Sequence, residues 1–206
     1  EIKRLGGRKT QTLDKKYSSP IIRTFKNFKN FKKEIRKENY DVIHLHICHG
    51  VAMIYAYFAK KEGITKVILH SHNTNVGRKH KRIKLIGHMI GKYLFEKYAD
   101  AYFACSNLAA EWLYSKKLMN SGKIKIINNA IDTSKFIFDE EERKNYRNEL
   151  KINDKFVVGH IGRFGEQKNH FYLLEIFKEI YNMEKESVLL LIGEGELKQD
   201  IINKAK

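Results

Sequence analysis

The residues best equipped for chemistry lie between Phe156 and Leu174. An apolar run, Phe156-Val157-Val158-Gly159-His160-Ile161, breaks at Gly162 and Gly165 around Arg163 and resumes beyond Lys168 with helical spacing. That pattern predicts a strand, a basic loop and a helix start. A guanidinium grips phosphate through two parallel hydrogen bonds, a lysine adds a mobile point charge, and a helix amino end offers unpaired N–H groups with partial positive charge. Together they suit a diphosphate. Taken alone, Arg163 and Lys168 also fit a solvated loop of a basic protein.

Histidines form the second group. His44, His46 and His49 fall near one strand end, and His70 and His72 near the next. A spacing of two on a strand puts His44 and His46 on one face. A metal cluster is one reading of this group, but a catalytic zinc site calls for three ligands backed by outer carboxylates, and few acids lie nearby. The expectation is therefore no metal, with one or two imidazoles facing a ligand crevice and the others satisfied in the core or at its rim. Cys48 and Cys105 sit inside apolar stretches and are expected to be buried, reduced thiols. A Gly-x-Ser-x-Gly elbow, a Cys-x-x-Cys pair, a Walker loop and an early Gly-x-Gly-x-x-Gly are all absent, so P-loop phosphate cleavage and hydride transfer lose support.

The elements that must position these groups alternate along the chain. Glu1 to Thr12 reads as a helix end and a short edge segment. From Pro20, Ile21, Ile22, Phe25, Phe28, Phe31 and Ile35 recur at helical spacing opposite a lysine-rich face, with the Phe stripe expected to pack on a core. Tyr40 to Ile47 is expected to be a buried strand, Gly50 to about Gly63 a helix, and Lys66 to His70 a strand. A polar loop, Ser71 to Gly77, leads into a basic helix from about Arg82 to Tyr98. Asp100 to Ser106 is the next strand, Asn107 a helix cap, and Lys123 to Asn128 one more strand. Such alternation argues a parallel sheet covered on both faces. An acidic run, Asp139 to Glu142, opens a polar helix ending near Lys151, after which a second alternation begins: the Phe156 strand, its loop and helix, the Ser187 to Ile192 strand, a Gly193 to Glu196 turn and a last helix. About fifty residues cannot close a doubly wound domain of usual size, so both ends are expected to be cut mid-domain.

Charge is unevenly placed. Residues 1 to 133 carry 27 Lys and Arg against 10 Asp and Glu, a balance of +17, whereas residues 134 to 206 carry 13 against 14, a balance of −1. A basic half of this kind fits anionic lipid or nucleic acid. The Phe and Lys interleaving of residues 21 to 37 keeps nucleic acid in view. That partner leaves unexplained why the phosphate-seeking loop lies in the neutral half, so a lipid surface is the expected partner. No run of about eighteen apolar residues and no signal-peptide core occur, which predicts a soluble, cytoplasmic chain.

Gly162-Arg163-Phe164, Gln167-Lys168-Asn169 and the helix with Leu173, Leu174, Ile176 and Phe177 resemble the donor-phosphate motif of retaining GT-B glycosyltransferases, in the large family that includes capsule and exopolysaccharide transferases. Asp41-Val42-Ile43-His44-Leu45-His46, His70-Ser71-His72-Asn73-Thr74, Ala104-Cys105-Ser106, Ile126-Ile127-Asn128-Asn129-Ala130-Ile131-Asp132 and Leu191-Ile192-Gly193-Glu194-Gly195-Glu196-Leu197 resemble further blocks of that family, in order. The similarity spans roughly residues 40 to 206.

What the resemblance implies is an α/β fold of GT-B type, two Rossmann-like parallel-sheet domains facing a cleft. Residues 1–133 would form the acceptor-side domain, 134–151 a linker and helix, and 152–206 the start of the nucleotide-sugar domain. The implied reaction is metal-independent transfer of a hexosyl group, with retention, from a nucleotide-diphosphate sugar of UDP type to a glycan or lipid-linked acceptor. Arg163, Lys168 and Gly162 would hold the leaving diphosphate, and His72 would line the cleft beside the transferred sugar as the catalytic residue. Asn73, Asn129, Gly193, Glu194 and Gly195 would contact the donor or line the cleft, although Ala130 stands where the family usually has glycine. The cations Arg78, Lys79, Lys81 and Arg82 would face the acceptor or an anionic membrane. The family's glycine-rich loop would precede Glu1 and its acidic donor motif would follow Lys206, so these residues by themselves are expected to show little transferase activity.

Overall fold

The computed structural model describes residues 20–75 and 81–205, which leaves Glu1 to Thr12, Arg78 and Lys79 outside the described residues. The chain forms two compact units, Glu1–Ile131 and Asp132–Lys206.

The first unit opens with α1 (Pro20–Ile35). Proline suits a first helical position, because its fixed φ is already helical and its missing N–H would have had no partner there. The second half of the apolar stripe packs as expected: Phe28 lies 5.1 Å from Tyr55 and 5.2 Å from Phe58, and Phe31 lies 4.8 Å from Tyr55, ring centre to ring centre, whereas Ile22 is exposed. Strand β1 (Val42–Ile47) follows, then a 3₁₀ turn at Gly50–Met53 and α2 (Ile54–Lys61). Next come β2 (Lys66–Ser71), α3 (Lys81–Phe95), β3 (Ala101–Ala104), α4 (Asn107–Leu113), the single turn α5 (Lys116–Met119) and β4 (Ile124–Ile126). The four strands form one parallel sheet in the order β1-β2-β3-β4, with Leu45 opposite Leu69 and Leu69 opposite Tyr102.

Strand pleating sends alternate side chains to opposite faces, and the sheet uses them unequally. Ile47, Val67, Leu69, Tyr102 and Ala104 join one apolar core with Ala56 and Ala59 of α2 and Ala109, Ala110 and Leu113 of α4. Tyr114 is 1% exposed and anchors that core, its hydroxyl reaching the Leu69 carbonyl at 2.9 Å and the Phe103 carbonyl at 2.7 Å. The opposite face carries His44, His46, His70 and Phe103. Among the described residues the sheet is thus covered on one face, and the expectation of cover on both is corrected.

Three local expectations are corrected as well. Strand β1 is half exposed instead of buried, because among the described residues it is the edge strand and Val42, His44 and His46 point away from the core. Cys48 is exposed just beyond that strand and Cys105 only half-buried, so neither is a deeply buried thiol. The cap of α4 is Ser106, which accepts from the Ala109 N–H at 3.2 Å, so Asn107 is the first helical residue.

Helix α3 is held by close backbone approach. A Cβ on Gly91 would lie 2.3 Å from the Gly50 carbonyl oxygen, and one on Gly50 would lie 2.1 Å from the His88 oxygen. Where the two glycines meet, His88 is 2% exposed and stacks on Trp112 at 4.1 Å. No described helix is long and apolar enough to cross a membrane.

The second unit holds α6 (Glu140–Glu149), β5 (Phe156–Ile161), α7 (His170–Met183), β6 (Ser187–Ile192) and α8 (Lys198–Ala205). Asp139 caps α6 by accepting from the Glu142 N–H at 2.9 Å, and three glutamates in the first turn complement the helix dipole. Strands β5 and β6 pair in parallel with Ile161 opposite Ile192, which brings the loops after them to the same edge.

Candidate active site

In the second unit the site is built from those two loops. Ile161 ends β5 and the chain passes through Gly162, Arg163, Phe164 and a 3₁₀ turn at Glu166–Lys168 before α7 begins. The loop after β6 lies directly against it, with the Phe164 N–H donating to the Glu194 carbonyl at 3.0 Å and the Leu197 N–H to the Phe164 carbonyl at 3.0 Å. A Cβ on Gly193 would lie 2.0 Å from the Gly162 oxygen, and one on Gly195 would lie 2.2 Å from the Phe164 oxygen. These two glycines therefore let one loop dock on the other.

Side chains converge on the rim of this double loop. Gly162 lies under the Lys168 side chain, since a Cβ there would come within 3.3 Å of Lys168 Cε. Arg163 is exposed, and its Nη2 donates to Glu196 Oε2 at 2.8 Å. The Glu196 N–H and then the Arg163 guanidinium hold the Glu196 carboxyl below the usual carboxylate range. Glu194 instead pairs with Lys198 at 2.7 Å. Asn169 is left-handed, at φ 48° and ψ 49°, and its side chain caps nothing, so the first turn of α7 keeps its side-chain cap position open. Beneath the loop His170 is fully buried, edge-on to His160 and to Phe164 at 4.9 Å each. Its ring nitrogens have no hydrogen-bond partner among the described residues, and burial pushes its pKa down.

In the first unit His72 lies just beyond the end of β2, half-buried, with its Nε2 2.7 Å from His46 Nδ1. His70 Nδ1 lies 3.2 Å from His44 Nε2. The rings are layered: His44 on His46 at 4.3 Å, His46 on His72 at 4.9 Å and His70 against His72 at 4.2 Å. Burial, followed by repulsion from His72, His46 and His44, lowers the His70 pKa to about 4. Burial also lowers the pKa of His44 and of His46, and neighbouring imidazoles lower each further. The rings of His44, His46 and His70 are therefore predominantly neutral near pH 7, with lone pairs available.

The remaining expected residues are dispersed. Asn73 is exposed beyond His72, and Asn129 is exposed beyond β4. Lys81 begins α3 and Arg82 is exposed on it. Sequence reasoning missed Glu196 as the partner of Arg163 and His170 as the buried support of the loop. The acid was recognisable in principle, since Glu196 falls in the glycine-rich turn after β6, and parallel pairing sets that turn beside the turn after β5. His170 carried no such signal, because a histidine at a helix start is as compatible with solvent as with burial.

Two parallel β-α-β units with loops gathered at the carboxyl ends of their strands define the class: this is an α/β protein of GT-B type. The chain belongs to glycosyltransferase family 4, whose sequence profile matches residues 10–135. It is 29% identical over 211 residues to EpsF of Bacillus subtilis, named as a glycosyltransferase, with all of this chain and 53% of that protein covered. It is 27% identical over 187 residues to the Escherichia coli UDP-Gal:alpha-D-GlcNAc-diphosphoundecaprenol alpha-1,3-galactosyltransferase, covering 88% of this chain and 47% of that enzyme. Among solved structures, Anabaena HepE in complex with UDP-glucose superposes with a TM-score of 0.65 at 17% identity, over 90% of this chain and 48% of that one. The chain spans about half the length of the curated relatives it matches.

Proposed function

We propose that this chain belongs to a transferase that moves a hexosyl group, with retention and without a metal in the reaction, from a UDP-sugar to a glycan or lipid-linked acceptor in cell-surface polysaccharide synthesis. The observation that carries this reading is the double loop, in a member of a glycosyltransferase family, where Arg163, Lys168 and the opening of α7 share one edge of β5 and β6. Leaving-group departure builds negative charge on the diphosphate, and cations already in place there stabilise the transition state more than the ground state. His72 is the proposed group beside the transferred sugar, with Asn73 and Asn129 as further cleft contacts. The acceptor class is supported by the name of the E. coli relative, which specifies a diphosphoundecaprenol-linked sugar, and the donor class by that name and by the UDP-glucose bound to HepE.

A cytoplasmic membrane face is the proposed site of action. Ile83, Ile86, Met89, Ile90 and Tyr93 of α3 are all more than half exposed, on the helix that also carries Arg82 and Lys84. Apolar residues that enter the headgroup region, beside cations worth about 1 kcal/mol each near anionic lipid, suit reversible docking. Sedimentation with anionic and with neutral vesicles tests this, and equal binding to both would remove it.

Thermal unfolding in the presence of UDP tests the donor site. UDP at about 100 times its Kd should stabilise the chain by about 2.7 kcal/mol. The shift should vanish in Lys168→Ala and in Arg163→Ala. A shift that survives both substitutions would reassign the site.

A further inference from the structure

We infer that His44, His46 and His70 form a binding site for a borderline divalent transition metal, with Zn²⁺ the best fit. The inference is independent of the transfer reading, which uses no metal.

Three observations carry it. First, one ligand atom from each of the three imidazoles lies within 4.8 Å of the others. Zinc–nitrogen bonds of about 2.0–2.1 Å place tetrahedral ligand atoms about 3.3 Å apart, so the three rings would draw together around one ion. The parallel register supplies this convergence: His46 stands directly opposite His70, and His44 stands two residues earlier on the same face of β1.

Second, His70 is 6% exposed and its Nε2 has no hydrogen-bond partner among the described residues. A buried imidazole nitrogen with nothing to bond is a costly arrangement. A cation would use that lone pair. Third, His46 Nδ1 is already engaged by His72 Nε2 at 2.7 Å. A metal-bound histidine commonly has its other nitrogen held by an outer group that orients the ring. His72 occupies that place here, so the metal and the proposed catalytic histidine would share one ring as intermediary.

The donor set selects the metal class. Imidazoles suit Zn²⁺, Cu²⁺, Ni²⁺ and Co²⁺, whereas Mg²⁺ and Ca²⁺ want oxygens, and no carboxylate is among the three. Three protein ligands leave a fourth position on a tetrahedral ion open to solvent or to an anionic ligand.

The test uses the 206-residue chain without a histidine tag, stripped of metal and titrated with Co²⁺ in the visible range and with Zn²⁺ by calorimetry. One ion per chain should bind, with the intense visible bands of four-coordinate Co²⁺. His44→Gln and His46→Gln, at exposed positions where folding should be preserved, should each weaken binding about tenfold or more, and unchanged circular dichroism would establish that folding. Absence of binding, a spectrum of octahedral Co²⁺, or affinity unchanged in both folded variants would overturn the assignment.

Discussion

The Arg163 guanidinium is bonded to Glu196 through two of its nitrogens, Nη2 at 2.8 Å and Nε at 3.2 Å from the same carboxylate oxygen. The acid comes from 33 residues away, across the β5-β6 pair, and on the proposed donor reading it lies where a diphosphate would bring its own oxygens. An incoming anion must share or displace it. Both side chains are more than half exposed, so the bond is easily exchanged. Replacing Glu196 by Gln keeps the shape of the loop and removes the competing charge. UDP should then bind about two- to fivefold more tightly, measured by calorimetry at fixed ionic strength. Weaker binding instead would mean that Glu196 aims Arg163 at the donor.

The two loops themselves are tested at Gly195. A methyl group there would meet the Phe164 oxygen at 2.2 Å, its carbonyl carbon at 2.6 Å and its nitrogen at 2.8 Å. All three are backbone atoms of the loop after β5 and cannot swing aside. Gly195→Ala should therefore lift the loops apart and weaken the bonds from Phe164 N–H to Glu194 and from Leu197 N–H to Phe164. A loss of about 1–3 kcal/mol in urea unfolding is expected, together with loss of UDP binding.

How far the residues disclose this architecture depends on the range of the interaction. Elements set by local periodicity, such as α1 with its Phe28 and Phe31 stripe or β6 with its unbroken apolar run, fall where their spacing predicts. The β1 segment misleads because Val-Ile-His-Leu-His-Ile can be taken either as an apolar run or as an alternation, and only its place at the sheet edge decides for alternation. Cys48 is misread for the same reason. Ser106 and Asn107 can both cap, and a shift of one residue depends on backbone dihedrals that composition does not set. The Arg163–Glu196 bond and the joining of His44 to His70 depend on which strands become neighbours. That is a property of the sheet and not of one strand, legible only as far as consecutive strands joined by a helix are expected to lie side by side.

Tyr114 ties the first sheet to its core. Its hydroxyl lies between the carbonyls of Leu69 and Phe103, on adjacent strands, and burial raises its pKa so that it stays protonated as a donor. Tyr114→Phe keeps the ring against Tyr102, 5.6 Å away, and removes only this link. A loss of about 1–2 kcal/mol should follow in equilibrium unfolding. A change near zero would show that the two carbonyls are fully satisfied by the sheet ladder.

His88 should make stability depend on pH. Its Nδ1 accepts from the Gly50 N–H at 2.8 Å, so in the neutral ring the proton sits on Nε2, 3.0 Å from the Trp112 carbonyl. Protonating Nδ1 would set two hydrogens against each other at the point where the Gly50 turn docks on α3. Burial lowers the His88 pKa, and the charges of Lys92 and His49 add to that, while the bond to Trp112 opposes it. Below the ordinary histidine value of about 6.5 the unfolded chain takes up a proton that the folded chain resists. Stability from this group is therefore complete above that pH and is lost as pH falls from there toward the lowered folded value. The slope should approach 1.4 kcal/mol per pH unit at most. Urea unfolding of metal-free protein between pH 7 and pH 5 measures it, with His88→Gln as the comparison. The variant should be less stable at pH 7 and should show a slope smaller by about one proton; an identical slope would assign the pH dependence to other groups.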